Sequence, residues 1–155
     1  MLENENFVIN YLIRIFKKAG FAISPIQMIK TPGMEEVVNK LRDQSDLAKI
    51  ITCMPSLYVH PRTKKREKNE PFFVSIVFGK SRKFFTSIYE KYFPTDQLFF
   101  LVIDKKASPQ IYSFEHLRNK KSGQPLRKYF EKMSLPNTFW KIYNEFEDQI
   151  KTLVN

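Results

Sequence analysis

The run Leu98-Phe99-Phe100-Leu101-Val102-Ile103 contains no polar side chain. Side chains alternate across a strand, so an unbroken apolar run of this length predicts a strand covered on both faces. Such a strand lies inside a sheet with helices above and below it, which restricts the chain to an α/β architecture. The 15 Phe and 7 Tyr supply the apolar surface that a covered sheet needs. A chain of 155 residues is long enough for one core of this kind, and the expectation is a single domain over residues 1–155.

Other segments take their places around this strand. Phe7, Val8, Tyr11, Leu12, Ile15 and Phe16 recur at helical spacing between about Glu3 and Gly20. Lys17 and Lys18 suit the last turn of that helix, and Gly20 suits its stop. Phe21 to Ile26 reads as extended, with Pro25 confining it to an edge or a bend. After a turn at Thr31-Pro32-Gly33, Met34 to about Ile51 reads as a second helix. Ser56 to His60 and Phe72 to Phe78 read as strands joined by a polar, basic hairpin loop from Pro61 to Pro71. A short helix through Phe84, Phe85, Ile88, Tyr89, Tyr92 and Phe93 is stopped by Pro94. Gln110 to Phe114 alternates and reads as a strand neighbouring Leu98–Ile103. Loop and helix follow, and the final helix carries Phe139, Ile142, Tyr143, Phe146, Ile150 and Leu153 on one stripe suited to core packing. The expected fold is therefore a central mixed sheet flanked by helices, with extra helices at the C-terminal end.

Charge narrows the class of partner. The net charge is +10, and an excess of this size favours polyanions through steering and counterion release. Lysine-rich surfaces also serve solubility. The basic residues cluster at Arg62-Lys64-Lys65-Arg66-Lys68, at Lys80-Arg82-Lys83, at Lys105-Lys106, and at Arg118-Lys120-Lys121 with Arg127-Lys128. Acidic residues gather instead on the first, second and last helices. Cys53 is the only cysteine, so no disulfide forms within the chain, and its apolar surroundings suggest a buried thiol. The N-terminus lacks the basic start of a signal peptide, and no apolar run approaches the roughly 20 residues of a membrane helix. A cytoplasmic or otherwise intracellular protein is expected.

Several segments together resemble the restriction-endonuclease-like superfamily, whose nucleases carry the PD-(D/E)xK signature. Glu5-Asn6-Phe7-Val8-Ile9 through Lys18-Ala19-Gly20-Phe21 is similar to the opening helix of archaeal Holliday-junction resolvases. Met54-Pro55-Ser56-Leu57-Tyr58-Val59 resembles the family's PD strand, and Phe73-Val74-Ser75-Ile76-Val77-Phe78-Gly79-Lys80-Ser81 its (D/E)xK strand. Leu98 to Asp104 and Gln110 to Phe114 complete the layout, so the resemblance covers roughly residues 3 to 117. In that family, an Asp and a Glu on adjacent strands hold a divalent cation, and the Lys two residues after the Glu points the same way. Carried across, Ser56 stands at the Asp position, Ser75 at the Glu position and Val77 at the Lys position. Glu5 matches the first-helix glutamate of some members.

These replacements have a chemical consequence. A hard cation such as Mg²⁺ needs anionic oxygen ligands to offset its dehydration, and two neutral hydroxyls provide no charge. Valine provides neither a proton donor nor a cation. No catalytic residue and no metal or other cofactor is therefore expected. The expected activity is nucleic-acid binding, to DNA, by a catalytically silent nuclease-like domain, or docking in a nucleic-acid-processing assembly. Lys80, Arg82 and Lys83, which follow the Ser75 strand, are the first candidates for phosphate contacts. Arg118, Lys120, Lys121, Arg127 and Lys128 form a second candidate patch.

Two alternatives remain open at this level. Catalytic groups could have moved to Glu35, Glu36, Asp43 or Asp46, with Lys80 or Lys83, giving an active nuclease that uses Mg²⁺ or Mn²⁺. The chain could instead be a protein-binding scaffold. Many nucleases of this fold act in pairs, so the resemblance also implies a homodimer. Other chemistries have less support. His60 and His116 lack Cys or carboxylate neighbours at zinc-ligand spacing, and Gly79-Lys80-Ser81 lacks the earlier glycine of a phosphate-binding loop.

Overall fold

A computed structural model describes residues 2–25, 55–61, 71–78, 89–91, 93–104, 107–119 and 121–153. The first helix, α1 (Leu2–Lys18), forms where the apolar spacing predicts it. Its buried residues Val8, Leu12, Ile15 and Phe16 make one stripe. The helix stops because Gly20 takes a positive φ of 93°, a conformation costly for any residue with a Cβ. The chain then turns directly into β1 (Phe21–Pro25).

Six strands make one sheet in sequence order: β1, β2 (Leu57–Pro61), β3 (Phe72–Phe78), β4 (Leu98–Ile103), β5 (Gln110–Ser113) and β6 (Gln124–Pro125). β3 and β4 run parallel, in register from Phe73↔Leu98 to Phe78↔Ile103. The other neighbours are antiparallel. A parallel pair requires a crossover between its strands. The described part of this connection holds a helical stretch at residues 89–91 and a 3₁₀ turn, Thr95–Gln97.

Both faces of the sheet are packed. On the first, Phe21, Ile23, Leu57, Val59, Val74, Leu101, Ile103 and Ile111 join the α1 stripe in the main core. Two later helices, α3 (Leu126–Glu131) and α4 (Asn137–Ile150), complete it with Leu126, Phe130, Phe139, Tyr143, Phe146 and Ile150. Phe130 links the layers, with its ring 5.3 Å from Phe16 and 4.9 Å from Phe139. On the second face, Tyr89 packs 5.2 Å from Phe100 and 6.2 Å from Phe114. Phe114 opens the short helix α2 (Phe114–Arg118). Leu98 and Phe100 thus serve one face of β4 while Leu101 and Ile103 serve the other, all within 2% of complete burial. The apolar run has the two-sided burial expected of it.

The strand read as Ser56 to His60 runs instead from Leu57 to Pro61, the final helix ends at Ile150 before Leu153, and the structure departs from the sequence reading in two further places. Phe114 is not the end of a strand but the start of α2. The Ser113 hydroxyl accepts a hydrogen bond from the His116 backbone N–H at 3.2 Å, and this N-cap ends β5 one residue earlier. The span read as loop also contains β6, which pairs Gln110↔Pro125 and Ile111↔Gln124. A two-residue edge strand ending in proline has no periodicity to reveal it. The segment Met34 to Ile51 expected as a second helix, Cys53, residues 62–70 of the expected hairpin loop, and residues 84–88 and 92 of the expected crossover helix lie outside the described residues. Among the described residues, no helix is long and apolar enough to cross a membrane.

Candidate functional site

Ser56 directly precedes β2, and its backbone N–H donates to the Val74 carbonyl of β3 at 2.9 Å. The β2–β3 register places Leu57 opposite Val74. Ser56 therefore lies beside the part of β3 that carries Ser75, at the entry to the adjacent strand. β3 continues past the start of β2, so Val77 lies farther along the same strand.

Alternation along β3 divides its side chains between two environments. Val74 belongs to the main core under α1, so Phe73, Ser75 and Val77 belong to the second face. There Phe100 lies across from Ser75 and Val102 from Val77, with Tyr112 beyond Phe100. Phe73 pairs with Tyr58 across β2, their rings 5.3 Å apart. Burial at this position raises the Tyr58 phenol pKa above its ordinary value. Ser75 is only 5% exposed, and its hydroxyl has no hydrogen-bond partner. Ser56 and Val77 are half-buried. Glu5 lies near the start of α1, the helix packed on the opposite face.

This arrangement favours neither of the two common chemistries. A serine nucleophile needs a base within hydrogen-bond reach, and the Ser75 hydroxyl has none. A divalent cation needs charged oxygen donors, whereas these positions offer two hydroxyls and an isopropyl group. The donor set does not fit Mg²⁺ or Mn²⁺. Among the described residues, no three His, Cys, Asp or Glu side chains gather as a metal site would require. His60 and His116 are exposed on β2 and α2, respectively.

Most of the positive excess belongs to residues 62–70, 79–88, 105 and 106, outside the described residues. Lys80, Arg82, Lys83 and Lys120 fall among the residues outside the description, as do Glu35, Glu36, Asp43 and Asp46. The described residues carry basic and acidic side chains in nearly equal number. Phe78 and Ile103 are register partners in parallel strands, so the chain leaves β3 and β4 at the same end of the sheet.

The structure divides the basic group that sequence proximity had joined. Arg118 ends α2, and Lys121 follows it with its N–H bonded to the His116 carbonyl at 2.8 Å. Arg118 reaches Glu90, the neighbour of Tyr89, and so belongs with the Phe114–Tyr89 packing on the second face. Arg127 and Lys128 lie on α3, whose Leu126 and Phe130 enter the main core on the other face. β5 and β6 are antiparallel, so α2 and α3 also begin at opposite ends of this strand pair.

The two arginines are held differently. The Arg127 guanidinium is 5.3 Å from the Trp140 ring centre and 5.0 Å from that of Tyr143. Its Nε lies 3.3 Å from Glu147 Oε1, and its Nη2 donates to Asn144 Oδ1. The Tyr143 hydroxyl beside it is buried without a hydrogen bond. Burial first, and the nearby Glu147 carboxylate second, raise its pKa far above that of an ordinary phenol. Arg118 Nη1, by contrast, lies 3.4 Å from Glu90 and 3.9 Å from Glu115, all three side chains being about half exposed or more. Glu115 is a local i,i+3 partner of Arg118, but the distant partners are not legible in the sequence: Glu147 is 20 positions from Arg127, and Glu90 lies across the β4–β5 segment from Arg118. No family model matches the chain, and no curated protein or solved structure matches it either.

Proposed function

We propose that this chain is a catalytically silent nuclease-like domain, with a restriction-endonuclease-like core, that binds nucleic acid through basic surfaces. The observation that carries the reading is the pairing at the start of β2. Ser56, just before β2, donates to Val74 beside Ser75, so the two positions at which the family would hold a cation lie in neighbouring segments of the sheet. In this chain they carry hydroxyls, and Ser75 is buried without a partner. The single parallel strand pair within a mixed sheet supports the same reading, as does the helix that precedes the sheet. The +10 charge supports a polyanion as the ligand, and DNA is the form we favour. Contacts made only to phosphates would position the protein without reading sequence.

Lys80, Arg82 and Lys83 follow Phe78 in the chain and remain the first candidates for phosphate contact. Duplex and branched DNA should bind at low salt, with affinity falling steeply as salt rises. Changing these three residues to Glu should weaken binding while leaving the unfolding midpoint unchanged. Absence of binding to both DNA and RNA at low salt would sink the proposal. Incubation with supercoiled DNA and Mg²⁺ or Mn²⁺ should produce no cleavage. Cleavage that is lost in Glu5→Gln or Asp46→Asn would establish an active nuclease instead. A protein partner that is retained after nuclease treatment, without any intrinsic DNA affinity, would identify a scaffold.

A further inference from the structure

Two arginines stand among the basic residues nominated from sequence and described by the structure, and their environments assign them different work. Arg127 lies against Trp140 and Tyr143 and is bonded to Asn144 and Glu147. Turning toward a phosphate would break those contacts and leave Glu147, whose side chain is 20% exposed, without its cation. Among the described residues, Arg118 is held by Glu90 and Glu115, at 3.4 and 3.9 Å, with side-chain exposures of 53%, 46% and 68% for the three residues. Solvent screens such pairs so well that an incoming phosphate can replace the carboxylates at little cost. Exposed Lys121 follows α2, with its N–H bonded to the His116 carbonyl at 2.8 Å.

We propose that the α2 surface of Arg118 and Lys121 contacts the phosphodiester backbone of duplex DNA, with Glu90 as the group that masks Arg118 in the free protein. This rests on the nucleic-acid-binding reading above and deepens it. Arg127 plays no part in the contact. Binding exchanges one anionic partner of Arg118 for another and leaves Glu90 to solvent. The device makes affinity depend on a carboxylate that touches no nucleic acid.

The test is anisotropy of a fluorescein-labelled duplex across a range of salt concentrations, using variants matched in charge. Arg118→Gln and Lys121→Gln should each lower the slope of log affinity against log salt by about 0.9, the value for one lost phosphate contact. Lys141→Gln, at an exposed position of α4, removes the same charge and should leave the slope unchanged. Glu90→Gln should tighten binding by about two- to fivefold, the range expected from releasing an exposed ion pair. Asp148→Asn removes an equal charge from α4 and should change affinity by less. If the wild type binds but the α2 variants match their α4 controls, the assignment of the surface is overturned and the broader reading survives. If the wild type does not bind, both fall together.

Discussion

Replacing Arg127 with Met tests whether this residue is a structural tie between α3 and α4. The substitution keeps an apolar stem against Trp140 and Tyr143 and removes the cation. It eliminates the Glu147 interaction at 3.3 Å, the Asn144 hydrogen bond and the electrostatic part of two ring contacts at 5.3 and 5.0 Å. A hydrogen bond to a charged partner contributes about 1.5–3 kcal/mol, and each partly exposed cation–ring contact about 0.5–1 kcal/mol. The Arg127 side chain is 37% exposed, so the electrostatic share must be discounted for solvent screening. A net loss of about 2–3 kcal/mol is expected. For a domain of this size, each kcal/mol moves Tm by about 2–4 °C, which gives a fall of roughly 4–12 °C.

Trp140 is the only tryptophan and lies against the guanidinium, so its fluorescence during urea unfolding reports on both global stability and this contact. A double-mutant cycle with Glu147→Gln should show a coupling of about 1 kcal/mol. A loss below about 0.5 kcal/mol with no coupling would refute the structural assignment. Weaker DNA binding at unchanged stability would return Arg127 to the phosphate-contacting set.

Three further outcomes are expected. Ser75→Ala removes a buried hydroxyl that has no partner, so stability should stay constant or rise by up to about 1 kcal/mol; a loss greater than 1 kcal/mol in chemical denaturation would mean that the hydroxyl is bonded. A Cβ at Gly123 would stand 2.6–2.7 Å from ring atoms of Tyr112, so Gly123→Ala should cost about 1–3 kcal/mol, and the loss should shrink in Gly123→Ala/Tyr112→Leu; equal losses in the single and double variants would reject this contact. The Tyr143 pKa is raised in the folded state, so above the ordinary phenol value of 10.0 the unfolded chain loses its proton first and stability should fall with rising pH. Denaturant melts between pH 8 and 11 should show a smaller fall in Tyr143→Phe, and identical slopes in the two proteins would contradict the assignment.

Much of the fold is legible because it depends on local pattern. The stripe from Val8 to Phe16 and the stop at Gly20 define α1 from nearest-neighbour chemistry alone. Pro25 announces an edge, and β1 is an edge strand. Ser113 is less transparent. Its cap is a polar contact three residues long, placed where the alternating pattern of β5 continues into Phe114. β6 is hidden for a different reason, since its strand character comes entirely from the hydrogen bonds of β5. The candidate site divides in the same way. That Ser56, Ser75 and Val77 cannot supply charge to a cation follows from their identities, but their proximity does not.

The amino-acid sequence by itself determined that a strand at Leu98–Ile103 would be covered on both faces, and therefore that helices must lie on both sides of a sheet. It also determined the chemical character of the candidate positions Ser56, Ser75 and Val77, because side-chain chemistry does not depend on the fold. Only the tertiary structure decided that Ser56 bonds beside Ser75, that the basic group beginning at Arg118 is split between two faces, and that Arg127 is engaged while Arg118 remains exchangeable. The physical reason is range. Periodicity and capping act over a few residues, whereas strand register and ion pairing join groups tens of residues apart whose pairing no local pattern records.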